Sequence, residues 1–111
     1  MSAKMCHVVM FALDATKFAA NLPGSELQRH LKLLRETVPG LLEINMGPTG
    51  TDLFPGYVDC SGGFTHCLVS KHTDVKALQE YVAHPNHVTF AELLKASYSK
   101  PPIRVDFELK E

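Results

Sequence analysis

The sequence predicts an α+β fold of ferredoxin-like type: β-α-β-β-α-α-β, a four-stranded antiparallel sheet with its helices packed on one face. Three observations lead there. Segments of period two alternate along the 111 residues with segments of helical period. Two strand segments, 4–13 and 64–72, are apolar on both parities, whereas 41–47 and 101–109 are apolar chiefly on one. That contrast puts the first and third strands in the middle and gives the order 4-1-3-2. Helices can cover only one face of such a sheet, so the apolar residues on the other call for a second copy. The expected assembly is a homodimer in which two sheets face each other across a barrel.

The elements follow in order. In "KMCHVVMFAL" Met5, Val9 and Phe11 alternate with Cys6, Val8 and Met10, and His7 is the polar exception. A loop ending in "PGS" comes next, and Ser25 can cap a helix in which Leu27, Leu31, Leu34 and Val38 recur at helical spacing. Pro39 and Gly40 stop it. "LLEINMG" sets Leu42, Ile44 and Met46 against Glu43 and Asn45, as an edge strand would. The stretch from Pro48 to Gly63 holds four glycines and two prolines and reads as a flexible loop or pocket lid. "FTHCLVSKH" is the third strand, interrupted by His66. Asp74 opens a helix with a Val75, Leu78 and Val82 stripe, which "HP" ends because a residue before proline avoids the helical region. Pro85 suits the first turn of a further helix, whose buried face is Val88, Phe90, Ala91, Leu93 and Leu94. In "PPIRVDFEL" Ile103, Val105, Phe107 and Leu109 alternate with Arg104, Asp106 and Glu108, again an edge strand.

One globular domain over 1–111 accommodates all of this, with 45% hydrophobic and 21% charged residues. A net charge of −1 offers no basic face for nucleic acid. The three cysteines, Cys6, Cys60 and Cys67, form neither a zinc pattern nor a disulfide framework, which points to a reducing, cytoplasmic setting. The opening "MSAKMCHVVMFAL" imitates a signal peptide but reads as a strand, and no apolar run approaches the roughly 20 residues that span a bilayer.

"CHVVMF", "VPGLLEINMG", "FTHCLVSKHTDVKALQEYVAHPNHVTF" and the closing "VDFE" together resemble the stress-responsive dimeric α/β barrel (Dabb) family over nearly the whole chain. The most specific part is "YVAHPNHVTF" following an "FTH" strand; 48–63 matches least well. Many members of that family have no established reaction, while the plant polyketide (olivetolic acid) cyclase closes a linear poly-β-keto chain by intramolecular aldol condensation. The resemblance implies His87 as general base and Tyr81 as the group that polarises a carbonyl. His7, His66 and His84 match further histidines at the substrate pocket. Leu31 aligns with a tyrosine of the cyclase that faces substrate, so the pocket here differs in polarity or depth.

Chemistry supports those residue types. A methylene flanked by two carbonyls is acidic enough for a neutral imidazole to deprotonate, and a phenol in an apolar pocket can steady the enolate without bringing charge. No metal or other cofactor is then required, and His84 and His87 lack a neighbouring Asp, Glu or Cys to complete a metal shell. On an unbroken helix Tyr81 and His87 would stand about 120° apart, so a break at His84-Pro85 is what could aim both inward. Structural readings stand beside these: His87 bonded locally in a first turn, His84 holding its turn, Tyr81 an amphipathic core residue, His7 and His66 satisfied and buried or in contact with each other. His30 and His72 read as solvated surface residues, Cys67 as a packing thiol and Cys60 as exposed. Three functions therefore remain: a dimer with a pocket for a small apolar or aromatic ligand, a cofactor-free cyclase, and a structural stress protein. A monooxygenase of the wider barrel superfamily is a weaker fourth.

Overall fold

The computed structural model describes residues 3–110, so Met1, Ser2 and Glu111, the ends of the domain expected over 1–111, lie outside the described residues. The elements run β1 (Lys4–Leu13), α1 (Ala15–Asn21), α2 (Glu26–Thr37), β2 (Leu41–Pro48), β3 (His66–His72), α3 (Val75–Ala83), α4 (Pro85–Lys95) and β4 (Tyr98–Leu109). Four strands pair antiparallel in the order β2-β3-β1-β4. The ferredoxin-like α+β prediction, with its central first and third strands, therefore holds.

One helix was not foreseen. The stretch read as a loop before "PGS" contains α1, started by Asp14, whose side chain accepts a hydrogen bond from the Lys17 backbone N–H at 2.9 Å. Seven residues carry too short a period to register, and the cap is their main signal. Ser25 does occupy the N-cap of α2, but its side chain makes no capping bond.

The core forms where the helices cover the sheet. Val9, Phe11 and Leu13 of β1, Ile44 and Met46 of β2 and Leu68 of β3 meet Leu31 and Leu34 of α2, Tyr81 of α3 and Phe90 and Leu94 of α4. Several side chains depart from the predicted faces. Leu42 is exposed because the β2–β3 register shifts between Leu41 and Glu43, which turns it away from Ile44 and Met46. On α3 the buried positions are Ala77 and Tyr81, while Val75 and Val82 are exposed. Val75 and Val82 border a trough towards β4, and Leu78 borders it too while also packing against the core. Val88 on α4 is likewise exposed, with Phe90 and Leu94 buried.

On the face without helices, register places Cys6, Val8 and Met10 beside Phe107, Val105 and Ile103 on one flank, and Val8 and Met10 beside Val69 and Cys67 on the other. Ile103, Val105 and Phe107 are exposed. Cys67, expected as a buried packing thiol, is only partly buried because it lies on this open face. Cys60 is exposed, as expected.

Gly40 makes the turn from α2 to β2 with φ of 75°, a region that side chains resist. A Cβ there would also meet Ala77 Cβ at 2.6 Å and Thr73 Oγ1 at 2.8 Å. Gly40→Ala is accordingly expected to cost about 2 kcal/mol or more, since strained backbone and overpacking each cost about 1–3 kcal/mol. Urea denaturation of the variant would read this as a lower midpoint at unchanged slope.

Candidate active site

Proline at the first position of α4 ends α3 at Ala83 and leaves His84 in extended backbone between the two helices. The His84 Nδ1 accepts from the Asn86 backbone N–H at 3.1 Å and so caps α4. The break changes the direction of the chain, and the Tyr81 and His87 rings come together with centroids 4.2 Å apart. His87 Nδ1 lies 3.1 Å from the Val82 carbonyl oxygen. A carbonyl only accepts, so Nδ1 carries the hydrogen and the neutral ring keeps its lone pair on Nε2.

Beneath them the sheet supplies a second pair of imidazoles. His7 of β1 lies opposite Asp106 of β4, and His7 Nδ1 donates to Asp106 Oδ1 at 2.5 Å. Nε2 is then the ring nitrogen of His7 left for another partner. The His7 ring stands 5.8 Å from that of Tyr81, and the ring of His72 on β3 stands 4.8 Å from Tyr81. Tyr81 is the hub of the group. Its side chain is almost wholly buried, and among the described residues its hydroxyl has no hydrogen-bond partner.

His72 corrects the expectation of a surface residue. It is completely buried, with Nε2 2.8 Å from Ser70 Oγ and with no partner for Nδ1 among the described residues. Parity explains this, because Leu68, Ser70 and His72 all project from β3 towards the helices. His30 is also buried, against expectation, with its ring stacked on Phe90 at 5.4 Å.

His7, Val9, Phe11, Leu68, Tyr81, His87, Phe90 and Leu94 are among the residues around a cavity of about 410 Å³ between the sheet and α3 and α4. Tyr98, Pro102 and Arg104 of β4 form its outer wall. The structure thus gathers three of the six expected site residues, His7, Tyr81 and His87. His66 faces Phe11 across the β1–β3 ladder and packs on Phe18 of α1 at 4.9 Å, away from His7, whose partner there is Ser70. Leu31 lies in the core and His84 at the helix junction, and neither is on the cavity wall. No residue of 49–65 lines it either. Among the described residues no three His, Cys, Asp or Glu side chains cluster as a metal site would require.

Burial sets the protonation states. It lowers the His87 pKa, an effect partly opposed by the bond to Val82 and deepened by the charges of His7 and His84. It pushes the Tyr81 phenol well above its ordinary value, so the hydroxyl stays a donor. His72 is driven down to about 4, by burial first and by His7 and His87 in lesser part, with Asp106 opposing. Its imidazolium would also need an acceptor at Nδ1 that the site does not supply.

The model of the "Stress responsive A/B Barrel Domain" family, Dabb, matches residues 5–108. The chain belongs to the Dabb family. This Dabb chain is similar in structure to a dimeric ferredoxin-like protein of unknown function from Jannaschia sp. CCS1, at 25% identity and a TM-score of 0.78, covering 96% of this chain and 99% of that one. It is also similar to the hydroxynitrile lyase of Passiflora edulis, at 18% identity and a TM-score of 0.74 over 100% and 97% of the two chains. The cofactor-independent oxygenase SnoaB of Streptomyces nogalater shares 13% identity and a TM-score of 0.68 over 99% and 96%. At these last two identities the likeness is one of fold. No curated protein sequence matches. Among the described residues no helix is long and apolar enough to cross a membrane.

A stability prediction follows from His72. Its folded pKa of about 4 lies below the value of 6.5 of the free side chain, so the unfolded chain takes up a proton that the folded one refuses. The associated stability is complete above about pH 6.5 and is lost as the pH falls to about 4, by about 3 kcal/mol. His30, His66 and His87 shift in the same direction. Urea titrations across this range should therefore show a shallower loss for His72→Phe than for the unsubstituted chain.

Proposed function

We propose that this Dabb protein is a homodimer that binds a small apolar carbonyl compound and catalyses proton transfer on it without a cofactor. The observation that carries the reading is the meeting of Tyr81 and His87 at 4.2 Å on the wall of a largely apolar cavity. His87 Nε2, kept bare by the Nδ1 bond to Val82, takes the proton from the carbon next to the carbonyl. The electron pair moves onto the carbonyl oxygen, and the Tyr81 hydroxyl donates a hydrogen bond to the oxyanion. The His7–Asp106 pair serves as a second proton carrier on the sheet side, with Asp106 fixing the tautomer and steadying the imidazolium. His84 acts on the site by holding the turn that aims His87. The Dabb resemblance makes an aldol ring closure of a polyketide-like chain the first reaction to try, and a hydroxynitrile lyase and a cofactor-independent oxygenase of the same fold support chemistry carried out by side chains alone.

Pairing through the open sheet face is supported by the exposed Ile103, Val105 and Phe107 and by the dimeric state of the Jannaschia protein. Light scattering should return twice the chain mass of 12.3 kDa, and a mass of one chain would end this part of the reading. Val105→Glu should halve the mass.

The chemical part is tested with phenylbutanedione, a small diketone, by NMR of deuterium uptake at its central carbon. His87→Ala should bind the diketone as tightly as before and exchange it about 100-fold more slowly, within the range usual for a general base. Tyr81→Phe should also slow exchange while leaving binding intact. Tight binding with no exchange above the buffer rate in the unsubstituted protein would instead support a carrier of small apolar ligands.

A further inference from the structure

Arg104 is the one formally charged side chain on the cavity wall among the described residues, and the chemistry proposed above gives it no task. Alternation on β4 carries it, with Asp106, onto the face that the helices cover, where its register partner is Val9. It borders both the main cavity and the neighbouring trough, and the side chains of α3 opposite are Val75, Leu78, Gln79 and Val82, none of them a carboxylate. Its ion-pair partner is Asp106, whose Oδ2 lies 3.6 Å from Nε, too far for a good hydrogen bond. The other oxygen of Asp106 is already engaged by His7. The two terminal nitrogens of Arg104 therefore have no hydrogen-bond partner among the described residues, and the side chain is 64% exposed at the mouth of a largely apolar chamber.

Resting on the small-ligand reading of this cavity, we infer that its ligand is an apolar acid whose carboxylate is gripped by Arg104 while its apolar body lies among Val9, Phe11, Leu68, Phe90 and Leu94. A planar guanidinium with both terminal nitrogens available suits a carboxylate in two parallel hydrogen bonds, and Arg is the side chain best matched to that geometry. The Asp106 carboxylate does not repel such a ligand strongly, because His7 Nδ1–H and Arg104 Nε both face it. Specificity then divides along the cavity: length and girth are read by its apolar interior, the acid group at its mouth, and the carbon between them is presented to Tyr81 and His87.

The test compares phenylbutanoate, its methyl ester and phenylbutanol by isothermal titration calorimetry on the full chain at neutral pH. The acid should bind at least about tenfold more tightly than the ester or the alcohol, the worth of one charge-assisted pair. Arg104→Gln should bring the acid to the level of the ester without changing the ester, and Arg104→Lys should keep part of the preference. Equal binding of acid and ester, or a preference that survives Arg104→Gln, overturns the inference while leaving the small-ligand reading in place. Binding of none of the three overturns both.

Discussion

A proline ring without an N–H, placed at residue 85, is the constraint on which the site depends. It ends α3 and begins α4 within a single residue, His84, which caps the second helix with its own side chain. Had the helix run on, Tyr81 and His87 would have looked in directions about 120° apart. The bend brings them into ring contact. It also frees the Val82 carbonyl, near the end of α3, to hold the His87 Nδ1–H. One backbone restriction thus places His87, chooses its tautomer and sets it against the Tyr81 ring.

The sheet contributes by parity. Each strand of the central pair gives the helix side one row of side chains, and the row holding Val9 and Phe11 also holds His7, while the row with Leu68 also holds Ser70 and His72. Polar rings are therefore embedded in a surface that is otherwise core. In such surroundings charge is costly, so His72 and His87 stay neutral and Tyr81 keeps its proton. On the chamber wall the one formal charge among the described residues is Arg104, on the edge strand, and Asp106 stands beside it in the neighbouring trough. The orphan Nδ1 of His72 is the least satisfied atom of this arrangement. Its burial costs stability, and the ring contact with Tyr81 is what that cost accompanies.

Much of the fold was legible because period two and helical period report which faces are buried. The strand order came from comparing parities, and the break at His84-Pro85 from a local rule about proline. Where reading failed, the information lay across strands or over too few residues. α1 has seven residues and one capping side chain. His72 stands at the end of a strand among Ser, Lys and Thr, which reads as surface, although counting by twos from Leu68 would have turned it inward. Asp106 as the partner of His7 depends on the β1–β4 register, which no short stretch of sequence encodes. His66, two positions before Leu68, does face the helices, but at the end of the sheet covered by α1, a helix that had not been foreseen. Val75 and Val82 have the spacing of a buried stripe and lie over the trough beside β4 because that edge of the sheet is left partly uncovered.

β4 has the most to say about how such a protein can change. Its odd positions, Ile103, Val105 and Phe107, look outward from the sheet, and its even positions, Arg104 and Asp106, look towards the helix side, Arg104 onto the chamber wall and both onto the neighbouring trough. A substitution at an odd position changes the outer face of the sheet and leaves the chamber side of the strand alone, and one at an even position does the reverse. Insertion or deletion of a single residue in 101–107 has no such freedom, since it would exchange the two rows at a stroke. Replacement in this strand thus alters one face at a time, and a change of length alters both.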